Sequence, residues 1–162
     1  METIILGLGS NRGDSKTILA GAVNRLASFL YELRTSSLYI TKPQDFIDQN
    51  DFYNMAVAGL YEGRPTSLLA MLQQIEADYG RNRDAEIPKG PRTLDIDILF
   101  FGNQVVKRAT PPLIIPHPAV HRRAFALIPV LELYPTFCDP VTHQPLADIL
   151  AALPDQGVRK SD

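Results

Sequence analysis

The spacing of apolar positions along this chain switches repeatedly between strand-like and helix-like. Thr3 to Leu8 is an apolar run closing on Gly7-Leu8-Gly9-Ser10-Asn11, which predicts a buried strand and then a turn. Asp14 or Ser15 can cap a helix whose apolar positions Leu19, Val23, Leu26, Leu30 and Leu33 keep helical spacing. Thr35 to Thr41 is β-branched and aromatic enough for a strand, and Tyr53 to Tyr61 for another. The polar, proline-containing stretch from Lys42 to Asp51 between them predicts a loop. Thr66, after Pro65, opens a second helix with Leu69, Leu72, Ile75, Glu76 and Tyr79 along one side.

A polar loop bounded by Gly80 and Gly90 comes next. Thr93 to Phe101 then alternates as a half-buried strand does, and Gly102-Asn103 predicts a two-residue hairpin into Gln104 to Lys107. A proline-rich stretch, Thr110 to Pro118, leads into helical sequence from Ala119 to about Tyr134, with a small helix near Leu146 to Leu153. The order β-α-β-β-α-β-β predicts an α+β sandwich of ferredoxin-like arrangement. No linker interrupts it, so residues 1–162 are expected to form a single domain.

Composition excludes several classes. Of 162 residues, 45% are hydrophobic and 21% charged, the balance of an ordinary globular chain. The longest apolar runs, such as Ile98 to Phe101, are too short to span a bilayer, and the acidic Glu2 does not suit a signal peptide. The single Cys138 cannot form an intrachain disulfide, which fits a reducing, cytoplasmic setting. Charge is unevenly placed. Between Gly80 and Arg123 lie eight basic residues (Arg81, Arg83, Lys89, Arg92, Lys107, Arg108, Arg122, Arg123) and four acidic ones, within a chain of net charge −2. Cations gathered in one third of an otherwise acidic protein suit a compact anionic ligand, not a long nucleic acid.

Thr93-Leu94-Asp95-Ile96-Asp97-Ile98-Leu99 carries the strongest chemical signal. Residues two apart on a strand face the same way, so Asp95 and Asp97 share a face while Leu94, Ile96 and Ile98 point to the core. Paired carboxylates repel one another, and a hard divalent cation relieves that repulsion; magnesium takes one or two carboxylates together with substrate phosphates. Arg92 precedes the strand, Arg81 and Arg83 lie on the loop, and His117, Arg122 and Arg123 follow the prolines. Guanidinium groups bind phosphate oxygens in pairs, so this set suits polyphosphate transfer. No G-x-x-x-x-G-K-[ST] occurs, which excludes a P-loop, and Gly7 and Gly9 miss the dinucleotide spacing. Those two glycines read as a tight turn with close backbone approach.

Gly90-Pro91-Arg92-Thr93-Leu94-Asp95-Ile96-Asp97-Ile98-Leu99 closely resembles the signature of 6-hydroxymethyl-7,8-dihydropterin pyrophosphokinases. The resemblance extends through Leu8-Gly9-Ser10-Asn11, Phe52-Tyr53-Asn54, Gln73-x-x-Glu76, Gly80-Arg81-x-Arg83, Phe101-Gly102-Asn103, Pro116-His117-Pro118 and Arg123-x-Phe125. It implies a three-layer α/β/α sandwich with a mainly antiparallel central sheet. It also implies ATP as donor, AMP as leaving group and two magnesium ions on Asp95 and Asp97. By matching position, Gln73, Arg81, Arg83, Arg92, Ile98, His117 and Arg123 would bind ATP, with Arg83, Arg92, Asp95 and Asp97 catalytic. Gly9, Thr41, Phe52, Asn54, Asp95 and Phe125 would bind the pterin. A cytoplasmic monomer is expected, with neither nucleic-acid nor membrane partners. Departures fall at Pro88 and Lys89, at Lys42-Pro43-Gln44-Asp45 and at Ile114, around the pterin and ATP loops. The alternatives are a relative acting on another pterin, a non-catalytic pterin or nucleotide binder, and a sugar-nucleotide transferase using the same Asp-x-Asp pair.

Overall fold

The computed structural model describes residues 1–43, 49–80 and 93–161. Its central sheet is built on β1 (Glu2–Ser10), which pairs with β4 (Phe52–Tyr61) on one side and β5 (Asp95–Phe101) on the other. Beyond β4 lie β3 (Tyr39–Thr41) and the C-terminal β8 (Arg159–Lys160), giving the order β5-β1-β4-β3-β8, with β2 (Tyr31–Thr35) also on β4. Every described pairing is antiparallel.

The alternation along β1 divides the core. Ile4, Leu6 and Leu8 face α1 (Ser15–Leu26) and α2 (Pro65–Asp78), packing on Leu19, Leu26, Leu68 and Leu72. The other face, with Ile5, Ala56, Ala58 and Phe100, packs on α3 (Ala124–Leu133) and α4 (Leu146–Ala151). Helices thus cover both faces, which makes the α/β/α sandwich. A bulge in β5, opposite the Ile5–Leu6 step, turns both Leu99 and Phe100 toward the α3 side.

Several sequence expectations are corrected. The first helix ends at Leu26, short of Leu30 and Leu33, because the Ser28 hydroxyl takes the Arg25 carbonyl and residues 31–35 pair with β4 instead. The strand expected from Thr35 to Thr41 is broken in two, since Ser36 Oγ accepts the Ala56 amide at 2.8 Å in place of a backbone carbonyl. Gly102-Asn103 does not close a hairpin onto β5. The Gly102 amide binds the Thr3 carbonyl, and β6 (Val106–Ala109) pairs with β7 (Pro112–Ile115) in a separate two-stranded sheet anchored by buried Leu113 and Ile115. Gly7 and Gly9 lie inside β1, which runs on to Ser10, not in a turn.

Candidate active site

Strand register assembles the site. Asp95 pairs with Gly9, Gly9 with Asn54, and Asn54 with Tyr39, so these four form one row across the sheet. Two residues along, Asp97, Gly7 and Ala56 form the next row on the same face. Because Ile5, Ala56 and Ala58 pack toward α3, period-two alternation puts Asp95, Asp97, Asn54 and the bare Cα atoms of Gly7 and Gly9 on that same face. Leu94, Ile96 and Ile98 are buried on the opposite face, as the alternation predicted. The floor between the carboxylates and Asn54 is therefore flat, and a Cβ on Gly9 would sit 3.0 Å from Asn54 Oδ1.

Asn54 is buried, and its Nδ2 donates to Thr41 Oγ1 at 3.1 Å. The Thr41 hydroxyl thus orients the carboxamide. Phe52 pairs with Thr41 and is half-buried. Asn11, buried at the end of β1, donates from Nδ2 to Gln49 Oε1 at 2.8 Å and to the Asn50 carbonyl at 3.1 Å, tying down the segment that leads to Phe52.

The opposite wall follows β7. The His117 amide binds the Leu99 carbonyl, which brings the imidazole to β5. His117 Nδ1 accepts the Ala119 amide at 3.1 Å, so the proton is assigned to Nε2, which points toward Asp97 Oδ2 at 3.8 Å. Burial and the Arg123 charge, opposed in part by Asp95, lower the His117 pKa to about 4. The ring is neutral at physiological pH, so its approach to Asp97 is a dipolar contact rather than an ion pair. Arg123 stands where the 3-10 turn Val120–Arg122 meets α3, and its guanidinium lies 5.5 Å from the ring centroid of half-buried Phe125.

The remaining described positions are spread over β5, α2 and β7. Ile98 is 5% exposed with its side chain in the α1–α2 core, which leaves only its backbone for any ligand contact. The Ile96 amide points outward to Glu76 Oε2 at 2.8 Å, and alternation turns the Ile98 backbone to the same outer edge. Gln73 is exposed on α2. Ile114 is exposed on β7. Arg81, Arg83 and Arg92, like Pro88, Lys89, Gln44 and Asp45, lie outside the described residues.

The profile of the 7,8-dihydro-6-hydroxymethylpterin-pyrophosphokinase family matches residues 5–135, a span that holds every side chain of the site. The chain belongs to this family. A 2-amino-4-hydroxy-6-hydroxymethyldihydropteridine pyrophosphokinase of Methylorubrum extorquens is 38% identical, with 99% of each chain covered. The folic acid synthesis protein fol1 of Pneumocystis carinii is 35% identical over 98% of this chain, but this chain spans only 21% of its length. Among solved structures, an HPPK-DHPS in complex with substrates superposes with a TM-score of 0.78 at 14% identity, covering 98% of this chain and 46% of that one. At that identity the likeness is one of fold. Family membership makes the chain an ATP-dependent enzyme that transfers pyrophosphate to 6-hydroxymethyl-7,8-dihydropterin, a step of folate synthesis.

Within this pyrophosphokinase, Glu76 is the positioning group that the sequence reading named without a role. It is 2% exposed, and from α2 its carboxylate reaches the backbone between Asp95 and Asp97. The signal was available: a carboxylate directly after Ile75 and four residues after Leu72, on an otherwise apolar helix stripe. Asn11 was quoted only as part of a motif. Its hold on Gln49 and Asn50 joins residues 38 and 39 positions apart, which no local pattern encodes.

Proposed function

We propose that Asp95 and Asp97 hold magnesium, two ions when ATP is bound, and that the flat floor between Asp95 and Asn54 receives the pterin. The donor set fits such a metal. Both carboxylates face one side, a glycine Cα lies beside each, and the neighbouring imidazole is neutral and does not compete as a cation. Among the described residues no group of three His, Cys, Asp or Glu side chains is disposed to hold a metal ion. Two carboxylates completed by substrate phosphates is the coordination magnesium accepts. Bound magnesium would neutralise triphosphate charge beside the reacting centre.

The protein groups orient the partners. Asn54, aligned by Thr41, is placed to hydrogen-bond a polar heterocycle edge, and the missing Gly9 side chain lets a flat ring lie against β1. Phe52 and Phe125 flank that ring as aromatic walls. His117 donates from Nε2 to a phosphate oxygen, and Arg123 contributes its fixed charge. Arg81, Arg83 and Arg92 supply further phosphate contacts, Gln73 and the Ile98 backbone the nucleotide contacts. In the transfer, the hydroxymethyl oxygen bonds to the β-phosphorus while the bond from that phosphorus to the αβ-bridging oxygen breaks, and AMP leaves with the electron pair. All the named groups come from one chain, so a monomer suffices, and ATP as donor suits the cytoplasm.

The observation supporting this reading is the row Asp95–Gly9–Asn54, in which a carboxylate and a buried carboxamide flank a bare glycine on three adjacent strands. Asp97→Asn and Asp95→Asn should each abolish magnesium-dependent tightening of a non-hydrolysable ATP analogue and lower kcat by roughly a thousandfold or more. Magnesium-dependent nucleotide binding that survives both substitutions would refute the metal assignment.

A further inference from the structure

The C-terminal tail holds a side chain bound to the backbone on either side of Arg123. Gln156 donates from Nε2 to the Arg122 carbonyl at 2.9 Å, and its Oε1 accepts the Ala124 amide at 2.9 Å. One carboxamide therefore grips the backbone on both sides of Arg123. That grip falls on a joint: Arg122 ends the 3-10 turn, Ala124 begins α3, and Arg123 between them is extended, with φ −116° and ψ 102°. Arg123 makes no side-chain cap to its own helix, so the first α3 amide is capped by Gln156 instead.

The tail is shaped to present that side chain. Asp155 Oδ1 accepts the Gly157 amide at 2.8 Å, spanning Gln156 in a tight turn. Gly157 has φ +71°, and a Cβ there would meet nothing, so its glycine is needed for backbone conformation and not for space. Past the turn, Arg159 and Lys160 pair with Ile40 and Tyr39, and the Ser161 amide binds the Leu38 carbonyl at 2.8 Å. The tail is thus fastened at one end to β3, which carries Thr41, and through Gln156 to the joint that carries Arg123 and Phe125.

We propose that Gln156 is a positioning residue for this transfer, fixing the angle between the 3-10 turn and α3 so that Arg123 and Phe125 address the phosphates and the pterin ring. The proposal rests on the roles given above to Arg123 and Phe125. Two bonds hold a joint whose flanking residues carry both groups, so their loss frees both together.

The test uses the full chain, with kcat and the KM for the pterin alcohol measured for Gln156→Ala and for Gln156→Glu, alongside Tm. Gln156→Ala should lower kcat/KM about tenfold, the range expected for losing a hydrogen bond or two, with a raised pterin KM. Gln156→Glu keeps the acceptor and loses the donor, so it should fall between wild type and Gln156→Ala. In an Arg123→Ala, Phe125→Ala background, Gln156→Ala should cost less than about twofold, because the groups it aims are gone. A lowered Tm with unchanged KM, or an undiminished cost in that background, would overturn the proposal and leave a structural tail. Normal kinetics in Arg123→Ala, Phe125→Ala itself would instead remove the site reading, and the proposal with it.

Discussion

Gly9→Ala separates folding from substrate recognition. The added Cβ would stand 3.0 Å from Asn54 Oδ1, so the carboxamide must retreat by a few tenths of an ångström. It has little room, because Asn54 is buried and its Nδ2 is tied to Thr41 at 3.1 Å. A shift of about 0.4 Å stretches that bond to the edge of useful geometry and mis-aims the group proposed to read the pterin. Losing one buried hydrogen bond to the ligand costs about 1–3 kcal/mol, or roughly 5- to 150-fold in affinity. The fold loses somewhat less: alanine regains about 0.5–1 kcal/mol over glycine in a strand, against about 1–3 kcal/mol of overpacking, a net cost of roughly 0–2.5 kcal/mol. Fluorescence titration of the pterin, with a non-hydrolysable ATP analogue present, should show at least the lower bound of that loss while Tm moves only a few degrees. Gly7→Ala is the comparison, since its Cβ meets the flexible Leu99 side chain at 3.2 Å and not Asn54; its pterin affinity should fall less. Unaltered pterin affinity in Gly9→Ala would refute the placement of the ring on this floor.

Two further predictions concern groups outside the binding floor. Glu76→Leu leaves the Ile96 amide without its carboxylate, so stability should fall by about 1–3 kcal/mol and kcat should fall with it as the Asp95–Asp97 strand loosens; wild-type values of both Tm and kcat would show that the contact holds nothing in place. Burial alone would raise the pKa of Asp139, but the Thr142 amide, His121 and the Thr142 hydroxyl outweigh it and leave the group below the usual carboxylate range. Its stabilising contribution is therefore complete above the ordinary value near ~3.9 and is lost as pH falls through the lower folded value. Urea midpoints measured from pH 6 downward should converge for wild type and Asp139→Asn in acid, and a constant gap between them would contradict the assignment.

The site was legible where chemistry follows strand alternation. Asp95 and Asp97 on one face with Ile96 and Ile98 opposite needs only a period of two, and Phe52 and Asn54 obey the same rule. Register was not legible: nothing in the sequence says that Gly9 lies between Asp95 and Asn54, so glycines placed in a turn proved to be the floor. The second sheet was hidden because Gly102-Asn103 is a strong hairpin signal, and only the burial of Leu113 and Ile115 shows why β6 pairs elsewhere. Gln156 was invisible for a related reason. Its partners are 32 and 34 residues away, and a two-residue edge strand leaves little trace in a polar tail. The sequence reading also turned on Arg81, Arg83 and Arg92, which lie outside the described residues, so their part in the site rests on the motif.

The most direct measurement is the fate of ATP. The protein is incubated with ATP, magnesium and 6-hydroxymethyl-7,8-dihydropterin, and the nucleotide products are resolved by ion-exchange chromatography with the pterin product weighed by mass spectrometry. Attack on the β-phosphorus predicts AMP and a pterin carrying two added phosphate units in equal amounts, with formation dependent on magnesium. ADP with a singly phosphorylated pterin, or ATP left intact, would contradict the account.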